Sequence, residues 1–261
     1  MKRKLLKSMC LAMFLVAFAG YGAKENTVVP QMNLPKTEAA AKAVPFYEQE
    51  YANVVDSVYE FIANGNSDNL PEQGRTGICE VRDFAKREAA LQQLGYTLQD
   101  ISGDGVPELL IGWISQKRSA GHYGKEIYAI YTFVNGSVKY VAEGWSRSSL
   151  QLMANDNLVT RGGTGISHQV LAVEHLQSDG NLGCYELHFT WPKDDGLGVY
   201  RNMTCRSEKD AAQETDMTVE EFNEMRSEYA NNSVEIEYLP LKDFKKQGFK
   251  GLMRQYLSAG R

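Results

Sequence analysis

Two apolar runs are separated by Asp100-Ile-Ser102-Gly-Asp104-Gly105-Val-Pro-Glu108, which sets oxygen-bearing side chains at positions 1, 3, 5 and 9 around a glycine. No other stretch of the chain ties residue type and interval so closely to one chemistry. Calcium takes six to eight oxygen ligands in a flexible geometry, so a short segment must curl and turn alternate side chains inward. Asp100, Ser102 and Asp104 have that spacing. Gly105 supplies the sharp turn, Val106 offers a backbone carbonyl, and Glu108 is the expected last ligand. An EF-hand places its bidentate Glu at position 12, which here is Ile111. The flanks, 96–99 and 109–114, are too short and too apolar for the paired helices of that motif and read as strands. The expectation is therefore strand, loop, strand. Ser102 is a neutral ligand, which implies weak, extracellular-type affinity of about 10⁻⁴ to 10⁻³ M. At millimolar calcium such a site adds on the order of 1 to 2 kcal/mol to folding by mass action. The plainer reading of the same residues is a tight polar turn, because Asp, Ser and Gly are also the preferred turn formers.

The N-terminus reads as a targeting segment. Lys2, Arg3, Lys4 and Lys7 form a positive region, 9–19 an apolar core too short to span a bilayer, and Ala17-Phe-Ala19 a small-x-small cleavage signal. Residues 1–19 are expected to be a signal peptide and 20–45 a flexible tether, leaving 46–261 as one domain. The stretch Phe18-Ala-Gly-Tyr21 resembles a lipoprotein box in which Tyr21 stands where the acylated cysteine would be, so no lipidated cysteine is expected. Cleavage after Ala19 removes four positive charges and no negative ones, moving the net charge from −5 to −9. An exported acidic chain without a basic stripe is a poor nucleic-acid ligand, and no second long apolar run suggests a transmembrane helix. Cys79, Cys184 and Cys205 would survive cleavage. Export permits one disulfide, for which Cys184 with Cys205 is the choice.

Along the domain, Tyr51, Val54, Val55, Val58, Phe61 and Ile62 recur on one face of a helix that Asn64-Gly65 ends. A second helix is expected over 80–94, with Gly95 as its C′ stop. Past the loop the period changes to two. Segments 127–133 and 137–142 flank Asn135-Gly136, a type I′ hairpin signal, and 149–153, 157–160, 169–176 and 184–190 follow as antiparallel strands. Thr218-Val-Glu-Glu221 is a capping box opening a helix to about Tyr229. A strand over 234–239 and short helical pieces over 241–257 complete an α+β chain: N-terminal amphipathic helices, a central, mainly antiparallel β-meander, and a C-terminal helix and short strand.

These motifs together resemble a family of exported proteins and lipoproteins of anaerobic Firmicutes-type bacteria. The likeness rests on Tyr-x-x-Val-x-Asp-x-x-Tyr at 51–59, the Gly-Tyr-x-Leu-x-Asp-Ile-x-Gly-Asp-Gly-x-Pro-Glu-Leu-Leu-Ile-Gly run at 95–112, Thr-x-Glu-Glu-Phe at 218–222, and the Pro240-Leu241 pair. The loop is also similar to those of integrin-type propeller repeats, although a single copy argues against a complete propeller. The resemblance implies a surface location and a calcium loop, and no activity. Tyr21 and Ser102 depart from its pattern.

Other constellations carry plainer explanations. Arg161-Gly-Gly-Thr-Gly165-Ile-Ser167-His168 places a serine and a histidine beside glycines, the basis of an alternative reading as an extracytoplasmic hydrolase centred on Gly162, Ser167 and His168. It lacks the G-x-S-x-G elbow and a carboxylate positioned to orient His168, so a glycine-rich turn suffices. His168, His175 and His188 lack metal-ligand spacing, and alternation sends His175 to solvent. Asp194-Asp195-Gly196 reads as a hairpin turn. Trp113, Trp145 and Trp191 are candidates for a carbohydrate-stacking surface, against the simpler role of core and sheet-face aromatics. The leading expectation is a non-enzymatic envelope module with a structural calcium loop, binding a cell-surface polysaccharide or protein.

Overall fold

The α+β expectation holds, with the strands divided between two antiparallel sheets rather than gathered in one. The structure is a computed structural model in which residues 46–165, 167–205 and 212–247 are described; the side chains of Thr164, Lys246 and Gln247 are not. The expected signal peptide over 1–19, the expected tether over 20–45 with Tyr21, and the helical pieces expected beyond 247 lie outside the described residues.

Helix α1 (Phe46–Asn64) buries Tyr51, Val55, Val58, Phe61 and Ile62, five of the six residues read from periodicity. It ends where Gly65, at φ +75°, donates its N–H to the Phe61 carbonyl (3.0 Å). The single helix expected over 80–94 is instead α2 (Thr76–Phe84) and α3 (Arg87–Gln93), broken at Ala85, whose backbone is extended. Gly95 is not a helix stop. It lies inside β1 (Leu94–Gln99), where a Cβ would come within 2.6 Å of the Tyr238 Cβ. Close strand packing, not a left-handed cap, is what requires glycine there.

Strand β1 turns through the acidic loop into β2 (Glu108–Trp113), in a register that pairs Gln99 with Glu108 and Leu98 with Leu109. A short hairpin of β3 (Gln116–Arg118) and β4 (Gly121–Gly124), invisible to periodicity because neither strand alternates, precedes β5 (Ile127–Val134) and β6 (Ser137–Glu143). Asn135 and Gly136 both have positive φ (54° and 80°), as a type I′ turn demands.

The second sheet contains β7 (Ser148–Leu152), β8 (Leu158–Gly165), β9 (His168–Leu176), β10 (Leu182–Lys193), β11 (Gly196–Asn202) and β12 (Gln213–Glu214). It is followed by α4 (Val219–Asn232) with both halves of the Thr218/Glu221 capping box formed. Strand β13 (Ile236–Pro240) then inserts between β4 and β1, and a 3-10 turn (Leu241–Asp243) leads into α5 (Phe244–Gln247). The sheet orders are β3-β4-β13-β1-β2-β5-β6 and β12-β11-β10-β9-β8-β7.

Helices α1 to α3 cover one face of the first sheet through Tyr96, Leu98, Leu109, Ile111, Ala129 and Tyr131. Its other face packs Leu110, Ile127 and Ile130 against Leu150, Leu152, Leu158 and Leu176 of the second sheet. Helix α4 covers the opposite face of that sheet with Phe222 on Val159, Leu171, Val173 and Val199. Cys184 and Cys205 form a disulfide with Cα atoms 5.5 Å apart. His175 does not simply face solvent. Its ring fills the hollow left by Gly183 opposite and packs on Tyr185 (centroids 4.6 Å apart), with its Nδ1 buried.

Candidate binding site

All three tryptophans of the chain line two adjoining clefts that share Trp145. The first, about 480 Å³, runs between α2 and the first sheet and is lined by Phe84, Trp113, Tyr128 and Trp145 with Glu80, Glu126 and Ser149. The second, about 410 Å³, lies beyond Trp145 and is lined by Arg147, Ser148, Thr160, His168, Thr190 and Trp191 among others.

Local structure explains why these side chains converge. Helix α2 approaches the 144–148 turn closely because Gly77 lacks a Cβ that would strike the Gly144 carbonyl and the Tyr128 ring. That approach lets Glu80 accept from both the backbone N–H and the hydroxyl of Ser146 (2.8 Å each). One residue away, Trp145 and Ser148 exchange backbone hydrogen bonds (2.9 Å each), so the indole is held by a pinned turn. On the far wall of the first cleft, Trp113 and Tyr128 have ring centroids 6.3 Å apart. Phe84 at its rim is 86% exposed, an unusual placement for a large apolar side chain. Glu126 accepts from the Ser149 hydroxyl (2.7 Å) and the Gln151 amide (2.5 Å), and Arg161 donates to the same two side chains (3.2 Å each).

In the second cleft the His168 ring stands edge-on to Trp191 (4.6 Å, 87°). Thr190 fastens the glycine-rich turn, accepting from the Gln169 N–H (2.9 Å) and donating to the Ser167 carbonyl (3.2 Å). The Ser167 hydroxyl and His168 Nδ1 are 3.1 Å apart. A nucleophile and base of the serine-hydrolase kind need a third group to orient the imidazole, and no carboxylate among the described residues lines this cleft or bonds the ring. His168 is thus concave, as the hydrolase alternative requires, but lacks its orienting acid. Among the described residues no three His, Cys, Asp or Glu side chains converge as a metal-binding group.

The acidic loop closes on itself by hydrogen bonds. Asp100 accepts from the Gly103 and Gly105 N–H groups (2.7 and 3.0 Å), and Asp104 accepts from Val106 (2.7 Å). Glycines at φ +75° and +88° make this curl affordable. Glu108 is wholly buried and accepts from the N–H groups of Ile101 (2.8 Å) and Ser102 (3.2 Å) and from the Thr132 hydroxyl (3.0 Å). Burial pushes its carboxyl above the usual range, with the Ile101, Thr132 and Ser102 bonds pulling the other way. Tyr51 of α1 donates to the Pro107 carbonyl (3.0 Å), so the loop joins the first helix to the sheet. Asp100, Ser102 and Val106 are half-buried and Asp104 is exposed, whereas Glu108, the residue expected as the last ligand, has both carboxylate oxygens engaged by the Ile101 and Ser102 N–H groups and the Thr132 hydroxyl and braces the loop from beneath.

Glu80, Glu126, Ser149, Gln151 and Arg161 were not singled out by sequence reasoning. A usable signal existed in the tryptophans: Trp113 ends β2, Trp145 lies in the turn before β7, and Trp191 stands near the end of β10, just before Pro192.

No family model matches the chain, and no curated protein does. A solved structure described as a Xanthomonas type IV secretion system related protein is similar over 47% of this chain at 14% identity, with a TM-score of 0.28. The chain spans 58% of that protein's length. A likeness so partial carries neither fold nor function. No helix among the described residues is long and apolar enough to cross a membrane.

Proposed function

We propose that the protein is an exported, non-enzymatic interaction module whose working surface is the pair of tryptophan-lined clefts, and that its ligand is an extended polysaccharide. The observation that carries this reading is the sharing of Trp145 between two clefts that also hold Trp113 and Trp191. Sugar rings present an apolar C–H face that packs on aromatic rings, while their hydroxyls need convergent polar groups. A cleft of mixed aromatic and polar lining is the kind of site that meets both needs. Glu80, Glu126 and Ser149 on one side of Trp145, and Arg147, Ser148 and Thr160 on the other, supply the polar part. Successive sugar units across the two clefts would each contribute modestly and add up along the chain.

In this reading the loop at 100–108 is a structural clip, with calcium as its cofactor held by Asp100, Ser102, Asp104 and the Val106 carbonyl. The donor set is all oxygen, as calcium prefers. With a Kd of about 10⁻⁴ M, 1 mM calcium would add roughly 1.4 kcal/mol to stability.

A glycan array probed with the full chain, followed by calorimetric titration of the hits, tests the binding function. Saturable binding abolished by Trp145→Ala supports it. Binding only to peptides, or none to any glycan class, overturns the polysaccharide assignment. A thermal midpoint that is identical with and without calcium, in the wild type as in Asp104→Ala, removes the metal from the account.

A further inference from the structure

The two clefts on either side of Trp145 differ in charge. Glu80 and Glu126 line the first, and no cation among the described residues does. Arg147 and His168 line the second, where no carboxylate among the described residues does. Arg147 is exposed. The ion pairs formed among the described residues do not involve it, although the chain as a whole is acidic, with a net charge of −5. A guanidinium without a protein carboxylate, at an aromatic-lined cleft of an acidic protein, is placed to meet an anion from outside.

In the first cleft the two carboxylates act on the same wall. Burial, and then the negative charges of Glu126 and Glu80, push the Tyr128 hydroxyl up to about 12. Internal hydrogen bonds position these carboxylates without exhausting them. Glu80 takes one donor on each oxygen from Ser146, and Glu126 takes one on each from Ser149 and Gln151. A carboxylate oxygen has two acceptor positions, so each half-buried carboxylate can still accept from a ligand. Arg161 is linked to Glu126 only through Ser149 and Gln151 and does not line the cleft. Hydroxyl donors suit this cleft, and an acidic group would face like charge there.

We propose that the polysaccharide is acidic at alternate units, with a uronic-acid carboxylate meeting Arg147 in the second cleft and a neutral, hydroxyl-bearing unit in the first. The inference rests on the reading of the clefts as a polysaccharide site and narrows its ligand. The planar donor fork of a guanidinium matches the two oxygens of a carboxylate. Because both clefts share Trp145, their occupants are neighbours along the polymer. A polymer acidic at every unit would bring a carboxylate against Glu80 and Glu126, and one acidic at none would leave Arg147 unmatched.

Calorimetry of the full chain with one backbone in three forms is the test. The forms are hyaluronan hexasaccharide, acidic at every second unit; the same oligomer with its carboxyls reduced to alcohols; and the same oligomer with its remaining primary alcohols oxidised to carboxylates. The alternating form should bind about fivefold more tightly than either of the others. Arg147→Met should bring it down to the affinity of the reduced form, with Arg147→Lys retaining part of the preference. Glu80→Gln, which keeps an acceptor for Ser146, should selectively raise affinity for the fully oxidised form. Arg118→Met, an arginine paired with Glu235 and lining neither cleft, should alter none of the three. Should Glu80→Gln lower the thermal midpoint, the Arg147 variants still decide. Equal affinity for the alternating and reduced forms, a preference that survives Arg147→Met, or tighter binding of the fully oxidised form overturns the inference and leaves the polysaccharide reading standing. So does silence of all three forms while a neutral glycan on the array binds. Absence of binding to any glycan overturns both.

Discussion

Replacing Glu108 separates a loop held by its own hydrogen bonds from one that is simply polar. In the folded chain this carboxylate is wholly buried and takes two backbone N–H groups and one hydroxyl. Alanine leaves the Ile101 and Ser102 amides without an acceptor, at about 1–3 kcal/mol per buried group, partly offset because the cost of burying the charge disappears. The expected net loss for Glu108→Ala is about 3–4 kcal/mol, or roughly 6–15 °C in the thermal midpoint for a domain of this size. Glutamine keeps the shape. Its carbonyl oxygen can take both amides while its NH₂ donates to Thr132, so Glu108→Gln should cost no more than about 1 kcal/mol. Urea unfolding followed by near-UV circular dichroism measures both. If the alanine variant falls within 1 kcal/mol of the wild type, or glutamine costs as much as alanine, the bracing role of Glu108 is wrong.

Three further outcomes follow from local features. Burial raises the Glu174 carboxyl above its ordinary range, so its contribution is fully present below the unfolded value and is lost as pH rises through the folded one; Glu174→Gln should therefore be more stable than the wild type at pH 8, an advantage that fades towards pH 4 in paired denaturation curves. Reducing the Cys184–Cys205 bond, which closes a separation of 21 residues, should cost about 3 kcal/mol, and the Cys184→Ser/Cys205→Ser double variant should be insensitive to reductant. Thr218→Ala removes the cap whose hydroxyl accepts from the Glu221 N–H (3.2 Å) and should lower stability by about 1 kcal/mol, seen as earlier loss of α4 amide protection in hydrogen exchange.

The parts of this fold legible in the sequence are those where a local rule and the tertiary structure agree. Asn135-Gly136 permits only a few turn geometries, the Thr218/Glu221 box satisfies its own N–H groups, and the apolar face of α1 has nowhere to go but the first sheet. Gly95 misled because glycine after a helical pattern also fits a strand that must pass close to another, here β13, and nothing local distinguishes the two. The division into two sheets was hidden for a similar reason. Strand β13 returns from far along the chain to lie between β4 and β1, and no short-range pattern encodes such a pairing. The strand, loop, strand form around 100–108 was legible by spacing, and the three tryptophans could be named as candidates, but the clefts that gather them could not be read. Glu80, Trp113, Trp145 and Trp191 come from four separate elements, and only the approach of Gly77 to Gly144 brings the first of them to the 144–148 turn.

The central claim is that the tryptophan-lined clefts are the working surface. Because every tryptophan of the chain lines them, intrinsic fluorescence during titration with the oligosaccharides found by array is the most direct measurement. The account predicts a saturable change in intensity or emission maximum that is greatly weakened in Trp145→Ala, with the unfolding midpoint of that variant still well above the assay temperature. A ligand that binds with undiminished affinity to Trp145→Ala, while leaving the emission of the wild type unchanged, would place the working surface elsewhere.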